Sequence, residues 1–427
     1  MQAIFRYNPK CGHSMRICYV REFSYPVVIS DGVGASIRRL SGYLHKAENA
    51  HSCLVTRNAF GLRKSDRQGP MAICRVGSYP PRTLLSIPIL DKCFRRFFFS
   101  MHFKDPRFLC NRQMTVDGIL GTRKLAEEAA TFPMLKDIDI FHCHGIWTNF
   151  ETYIGLFLSR LFQRPMMFQL QGHFGSDSEC MNLDQTNPWY DPIVGNAALS
   201  RSKVIICGNK STLEFMRKRM GNKEKCAFIP TCIDVSVFRP RNSSAETSKN
   251  VLFLGRLTDF KDPITAVRAL KLVAKAMPEV MLRIVGDGPL AKKVQLSVSE
   301  LGLEKNVAFM GERTETRNFY QESAIFLATS SVENYLSNSL LEAMASGLAV
   351  VATDVGETRN LIKSGENGIL IPPKEPRALA SAILSLLSNP SLYNDLSRNA
   401  IKTAKQYDIT ALGPTYVRLY KEVLYEA

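Results

Sequence analysis

The sequence predicts an α/β protein built as two doubly wound domains. Three observations lead there. Its 427 residues exceed what one ordinary core accommodates. Short apolar runs alternate with stretches of helical periodicity, the pattern of a parallel sheet covered on both faces. A polar stretch without periodicity, RPRNSSAETSKN (Arg239–Asn250), interrupts that alternation once and reads as an interdomain linker.

In the first half, Met15–Val20 (MRICYV) reads as a strand, followed by a glycine-bearing turn, DGVGAS (Asp31–Ser36), and a helix over Ile37–Lys46. Ser52–Arg57 is the next strand, Thr115–Thr131 has helical periodicity, and Asp139–His144 is again a strand. An amphipathic helix over Phe150–Phe162 precedes strands at Met166–Leu170, Lys203–Cys207 and Cys226–Pro230. Past the linker the alternation restarts. Val251–Gly255 is a strand, and a helix opens with Pro263 in its first turn, carrying Ile264, Val267, Leu270 and Ala274 on one face. Leu282–Gly286, Val307–Gly311, Ile325–Ser330 and Leu348–Thr353 are further strands.

Composition narrows the functional classes. Hydrophobic residues make up 45% of the chain, a globular rather than disordered balance. No apolar run reaches membrane-spanning length, and the opening MQAIFRYNPKCGHS has no signal-peptide core, so a cytoplasmic protein is expected. The eleven cysteines are scattered and form no C-x-x-C pair, which suits buried thiols in a reducing compartment. The net charge of +16 is placed unevenly: residues 1–245 hold 34 Lys and Arg against 19 Asp and Glu, and the remainder is nearly neutral. That one-sidedness points to an anionic partner for the first half. No nucleic-acid motif accompanies the charge, so nucleic acid is not the expected partner.

Ligands of parallel α/β sheets bind beyond the carboxyl ends of the strands, and three loops of the second half stand there. In FLGRLTDFKDP (Phe253–Pro263), Arg256 and Lys261 lie in a crossover to a helix N-terminus. They form either a diphosphate clamp or two solvated surface cations. VGDGP (Val285–Pro289) carries a G-x-G that a plain tight turn explains equally well. SSVENYLSNSLLEAM (Ser330–Met344) starts a helix at Ser337–Asn338, both good caps, with Glu342 one turn in. Glu342 is placed either to accept ribose hydroxyls or to bond neighbouring backbone; in both cases a partly buried acid needs a partner.

Taken in order, LFLGRL…FKDP, LRIVGDGPL and SSVEN…SLLEAMASGLAVVATDVGETRNLIKSGENGILIPP resemble the retaining glycosyltransferases of family 4. That resemblance runs from about Val251 to Ala382 and implies the GT-B fold, two Rossmann-like domains facing across a cleft. It implies that Arg256 and Lys261 hold the donor diphosphate. It implies that Glu342 binds the nucleotide ribose, and that Gly255, Gly286, Ser339 and Leu340 belong to the donor site. Gly347 and the Val355–Gly356 turn match positions shaping the donor pocket. No metal or other cofactor is implied, since cations of the site would take a metal's electrostatic role. The family's two acids are separated by seven residues, whereas eight lie between Glu333 and Glu342. Counting places Asn334 in the first acidic slot; Glu333 is favoured on chemistry.

In the first half, MRICYV with DGVGAS resembles the family's first strand and glycine loop, which places Gly32 and Gly34 near the donor phosphates. FHCHGIWTN (Phe141–Asn149) resembles its His-rich strand end, where His144 is a candidate on the acceptor side. The family also places a histidine after the strand that MMFQLQGHFGSD (Met166–Asp177) resembles, which implies that either Gln171 or His173 meets the reacting sugar, His173 being slightly favoured. FIPTCIDVSVFRP (Phe228–Pro240) resembles the segment closing the first domain. The expected organisation is an appended tail 1–14, an acceptor domain 15–238, a linker 239–250, a donor domain 251–413, and a helix 414–427 returning to the first domain.

One stretch has no family counterpart. LDKCFRRFFFSMHFKDPRF (Leu90–Phe108) mixes five cations with six phenylalanines. It suits an anionic membrane surface, making the protein peripheral there, or else an amphipathic helix packed on its own domain. The expected function is transfer of a hexose-type sugar from a nucleotide sugar to a polysaccharide or lipid-linked oligosaccharide in cell-surface glycan synthesis. A GT-B epimerase acting on the nucleotide sugar, or a non-catalytic donor-binding relative, are the alternatives.

Overall fold

The computed structural model describes residues 14–20, 32–57, 65–68, 70–76, 127–145, 150–170, 192–240, 249–332 and 337–425. The chain divides into two compact units, Met1–Ile229 with Gly413–Ala427, and Pro230–Leu412. The expected stretch Leu90–Phe108 lies outside the described residues, as does most of the helix expected over Thr115–Thr131.

The first unit is one sheet flanked by helices. Its strands are β1 (Arg16–Val20), β2 (His51–Arg57), β3 (Ser65–Gln68), β4 (Met71–Val76), β5 (Ile140–Gly145), β6 (Met166–Leu170), β7 (Ser202–Cys207) and β8 (Cys226–Phe228). Among the described residues they run in the order β3-β4-β2-β1-β5-β6-β7-β8. All pairings are parallel except β3 with β4. The helices are α1 (Gly32–Glu48), α2 (Phe150–Leu161), α3 (Pro192–Arg201) and α4 (Lys210–Met220). Strands β5 and β6 are buried along their whole length, and their largely apolar runs enclose three buried polar side chains, His142, His144 and Gln169. The antiparallel pair β3–β4 had no expected counterpart: SDRQ is polar, without the alternation that marks a strand.

The glycines of DGVGAS prove to be helical rather than part of a turn. Gly32 opens α1, and Gly34 lies buried in its first turn. First-turn amides have no partner within the helix, so small residues there cost less than in a helix interior.

In the second unit the strands are β9 (Asn250–Leu254), β10 (Met281–Val285), β11 (Val307–Gly311), β12 (Ile325–Ala328), β13 (Ala349–Thr353) and β14 (Ile369–Ile371). Its helices are α5 (Pro263–Ala276), α6 (Ala291–Glu300), α7 (Arg317–Gln321), α8 (Asn338–Ala345), α9 (Thr358–Leu361), α10 (Pro376–Ser388) and α11 (Pro390–Ala404). The sheet is parallel throughout, in the order β11-β10-β9-β12-β13-β14. Renumbered from its first strand this is 3-2-1-4-5-6, the doubly wound dinucleotide-binding order. Alternate residues feed two cores. Val251, Phe253, Ile325 and Leu327 point to one, while Leu252, Phe326, Val350 and Ala352 point to the other.

Residues 230–238, N-terminal to the stretch expected as linker, cluster with the second unit. Ile233 donates its amide to Tyr407 O at 2.8 Å and accepts from the Ile409 amide at 2.7 Å, while the Val235 amide reaches Asp408 Oδ1 at 3.1 Å. The last helix, α12 (Ile409–Tyr425), gives its residues from Gly413 onward to the first unit. There a Cβ on Gly413 would stand 2.3 Å from the Tyr43 ring, so only glycine allows that approach.

Candidate functional site

A sheet of order 3-2-1-4-5-6 reverses direction of winding between its first and fourth strands, and a crevice opens beyond their carboxyl ends. Here those strands are β9 and β12, and the loops leaving them are tied together. The Ser331 amide donates to Phe260 O at 3.0 Å, and Ser331 Oγ donates to Asp259 O at 2.9 Å. Thr329 Oγ1 reaches both Lys261 O at 3.0 Å and Asp262 O at 2.9 Å. Thr353, ending β13, donates to Ser330 O at 2.7 Å. A third loop joins from β10, where the Leu257 amide donates to Asp287 O and the Leu290 amide to Leu257 O, both at 3.0 Å. Sequence reasoning missed Thr329, Ser331 and Thr353. The hydroxyl-rich run Thr329–Ser331 at a strand end was their signal.

Loop β9–α5 carries both expected cations. Arg256 is exposed. Lys261 keeps some exposed area, but its ammonium is ringed by protein, and that burial pushes its pKa down to about 8. Its Nζ stands 5.1 Å from the Phe260 ring centroid, a stacking that offsets part of the lost hydration. The next residue, Asp262, takes a left-handed backbone with φ 44° and caps α5, accepting from the Thr265 amide at 3.2 Å and Thr265 Oγ1 at 2.6 Å. Asp tolerates that conformation better than most residues because its short side chain bonds locally.

The expected glycines separate into two kinds. Gly286 has φ 135°, and a Cβ there would lie 2.0 Å from Gly255 O; one on Gly288 would lie 2.5 Å from Leu257 O. Both are therefore required by the close approach of one loop to the other. A Cβ on Gly255 would meet nothing within 4 Å, so no protein packing demands glycine there.

Helix α8 follows β12. Ser337 occupies its cap position, yet the hydroxyl pairs with Ser339 Oγ at 2.9 Å instead of capping an amide. The intrahelical ladder begins with the Leu341 amide on Ser337 O at 3.1 Å. Asn338, Ser339 and Leu340 thus present the first-turn amides that make helix N-termini attractive to anions. Leu340 is buried in the core, so its amide is what it can offer a ligand. Glu342, 8% exposed, accepts from Tyr320 Oη at 3.0 Å.

Two expected positions fall elsewhere. Gly347 follows α8 at its carboxyl end, with φ 79°, and packs against Pro240, Ser397 and Ile401. Its carbonyl accepts from Ser397 Oγ at 2.6 Å. It turns the chain into β13 at the end of the sheet away from the site, so its glycine answers a left-handed cap, not a pocket. His144 is 1% exposed, its ring 4.1 Å from that of His142 and 5.7 Å from that of Tyr19. Beside it, His142 Nδ1 and Tyr420 Oη share a hydrogen bond of 2.6 Å, and Gln169 Nε2 donates to Tyr416 Oη at 3.0 Å. His144 thus belongs to a buried cluster between β1, β5, β6 and α12. The Val355–Gly356 turn follows β13, Gly356 having φ 49°. Gln171, His173, Glu333 and Asn334 lie outside the described residues. Among the described residues, no group of three or more His, Cys, Asp or Glu is placed to hold a metal ion, and no helix is long and apolar enough to cross a membrane.

The second unit thus has the architecture of a nucleotide-binding α/β domain, with two cations, helix amides and a buried acid beside its switch point. Residues 234–403, within this unit, match the family model for glycosyl transferases group 1. Over 207 residues the chain is 30% identical to the poly(glycerol-phosphate) alpha-glucosyltransferase of Bacillus subtilis. That alignment covers 48% of this chain and spans 30% of the relative's length. Among solved structures, sucrose-phosphate synthase from Thermosynechococcus elongatus superposes with a TM-score of 0.70 at 18% identity, covering 97% of this chain and all of the other. Anabaena HepE, in complex with UDP and glucose, gives 0.65 at 16% identity, covering 96% of this chain and all of that one. These likenesses show the fold: two parallel-sheet α/β units, as in GT-B glycosyltransferases.

Proposed function

We propose that this chain is a retaining, metal-independent glycosyltransferase that moves a hexose-type sugar from a nucleotide sugar to a polysaccharide or lipid-linked oligosaccharide. The observation that carries the reading is the lacing of the β9 and β12 loops through Ser331, Phe260 and Thr329. It sets Lys261, Arg256 and the amides of α8 around one switch point, where a diphosphate is the expected ligand. The group 1 match of residues 234–403, and a relative that is a poly(glycerol-phosphate) glucosyltransferase, support the class of reaction and acceptor. HepE, with UDP and glucose bound, supports a uridine nucleotide sugar as donor.

In this reading Lys261 and Arg256 neutralise the charge that develops on the departing diphosphate, usually the largest catalytic contribution. Glu342 accepts from the ribose hydroxyls and fixes the nucleotide. The bond between anomeric carbon and diphosphate oxygen breaks as the acceptor hydroxyl bonds to that carbon on the same face, its proton passing to the leaving phosphate oxygen. Incubation with UDP-hexoses and polyprenyl-diphosphate-linked or teichoic-acid-type acceptors, with and without a chelator, tests it. Nuclear magnetic resonance of the product should show the donor's anomeric configuration kept and no loss of rate with chelator. An inverted product, or a sugar epimerised without transfer, would refute it.

A further inference from the structure

Glu342 does not stand alone in its helix. Tyr320, on α7 and fully buried, donates its phenol to Glu342 Oε2 at 3.0 Å. The ring that delivers the phenol is itself fixed. Phe238 meets it edge-on with centroids 5.6 Å apart, and Phe326 of β12 lies at 6.1 Å. Tyr320 has no place in the diphosphate clamp, and packing alone would be served by phenylalanine. Its hydroxyl is a polar group in the core with a partner across 22 residues of sequence. Such a group is costly unless it is bonded, and the carboxylate it bonds belongs to the candidate site.

We propose that Tyr320 is a positioning residue for the donor nucleotide: its phenol holds the Glu342 carboxylate in the orientation that accepts the ribose hydroxyls. This rests on the donor-site reading above. A carboxylate has about four lone-pair positions, so one phenol orients the group and leaves acceptor capacity for a diol. Long acidic side chains are otherwise rotamer-rich, and an acceptor fixed in advance binds a diol without the ordering cost. The device selects for ribose, because a nucleotide lacking the 2′ and 3′ hydroxyls leaves the oriented acid without its donors.

Calorimetric titration of the full chain with UDP and with 2′,3′-dideoxy-UDP tests this. GDP and ADP, with their dideoxy forms, follow if UDP does not bind. Wild type should prefer the ribonucleotide by at least about tenfold. Tyr320→Phe should erode that preference about tenfold while leaving the dideoxy affinity unchanged. With a turnover assay, its donor KM should rise while kcat stays within about twofold. Glu342→Gln should remove the preference, and adding Tyr320→Phe to it should change nothing further. Thermal melts verify that each variant folds. If Tyr320→Phe does not, Tyr320→Leu, which likewise has no donor, takes its place and should lose the preference to the same degree. A variant that folds and keeps the full wild-type preference overturns the positioning role. If wild type binds nucleotide without preferring ribose, or Glu342→Gln keeps the preference, the assignment of Glu342 to the ribose fails, and Tyr320's role with it. If no nucleoside diphosphate binds, the donor-site reading itself fails.

Discussion

The amide of Ser331, three residues past β12, donates to the carbonyl of Phe260, in the crossover from β9 to α5, at 3.0 Å. That bond joins the two loops flanking the switch point, and Thr329 doubles it through Lys261 O and Asp262 O. The cation-bearing loop is therefore held in shape by its neighbour before any ligand arrives. Replacing Thr329 by valine preserves volume but takes a donor from two half-buried carbonyls. The expected cost is about 1–3 kcal/mol of stability, read from urea unfolding, with weaker nucleotide binding. Unchanged stability would show the lacing to be incidental.

Two glycines at the ends of adjacent strands should behave in opposite ways. Gly286→Ala forces a Cβ to within 2.0 Å of Gly255 O at φ 135°, and nothing but backbone can move. We expect it to destabilise the second unit severely, by about 3 kcal/mol or more. Gly255→Ala meets nothing within 4 Å and should unfold like wild type to within about 0.5 kcal/mol. If the proposed donor site is right, it should still lose donor affinity, because the added methyl would then stand where the diphosphate approaches. Parallel melts and nucleotide titrations separate the two.

Burial holds the Lys261 ammonium at a pKa of about 8, below its usual 10.5. In the free protein it therefore loses its proton as pH rises through about 8. A bound diphosphate favours the charged form and raises that pKa again. Nucleotide binding should weaken above about pH 8 and should take up a proton between that pH and 10. Titrations in buffers of different ionisation enthalpy measure the uptake, and Lys261→Arg should abolish it. Binding that is flat from pH 7 to pH 9.5 would contradict the placement of Lys261 at the anion.

In the first unit, burial pushes the pKa of His142 down to about 3, against 6.5 for the free side chain. Between those values the unfolded chain takes a proton that the folded chain refuses. Stability should consequently fall as pH drops from about 6.5 toward 3, by up to about 1.4 kcal/mol per pH unit from this group. His142→Asn should flatten that part of the profile, at the expense of the bond to Tyr420.

The strands were readable because short, mostly apolar runs mark them: Met166–Leu170, buried along its length, and Val307–Gly311, at the sheet edge, begin and end where the sequence places them. What escaped has physical causes. SDRQ is an edge strand whose polarity carries no period. Gly32 and Gly34 look like turn residues, yet the first turn of a helix tolerates them. The placement of Arg256 and Lys261 in the loop after β9, and of Glu342 in the helix after β12, was legible from the local sequence, and those two strands flank one switch point. Gly347 and Gly286 were legible as glycines but not by reason, since a left-handed cap and a loop crossing depend on contacts distant in sequence. Tyr320 was invisible for the same cause: its partner is in another helix.

The central claim is that Arg256 and Lys261 clamp the diphosphate of a nucleotide sugar. Titration of UDP-glucose into wild type and into the Arg256→Ala, Lys261→Ala double variant, both verified as folded, measures it most directly. Loss of two charge-assisted contacts should weaken binding about a hundredfold or more and abolish transfer. Equal affinity in the two proteins would contradict the account.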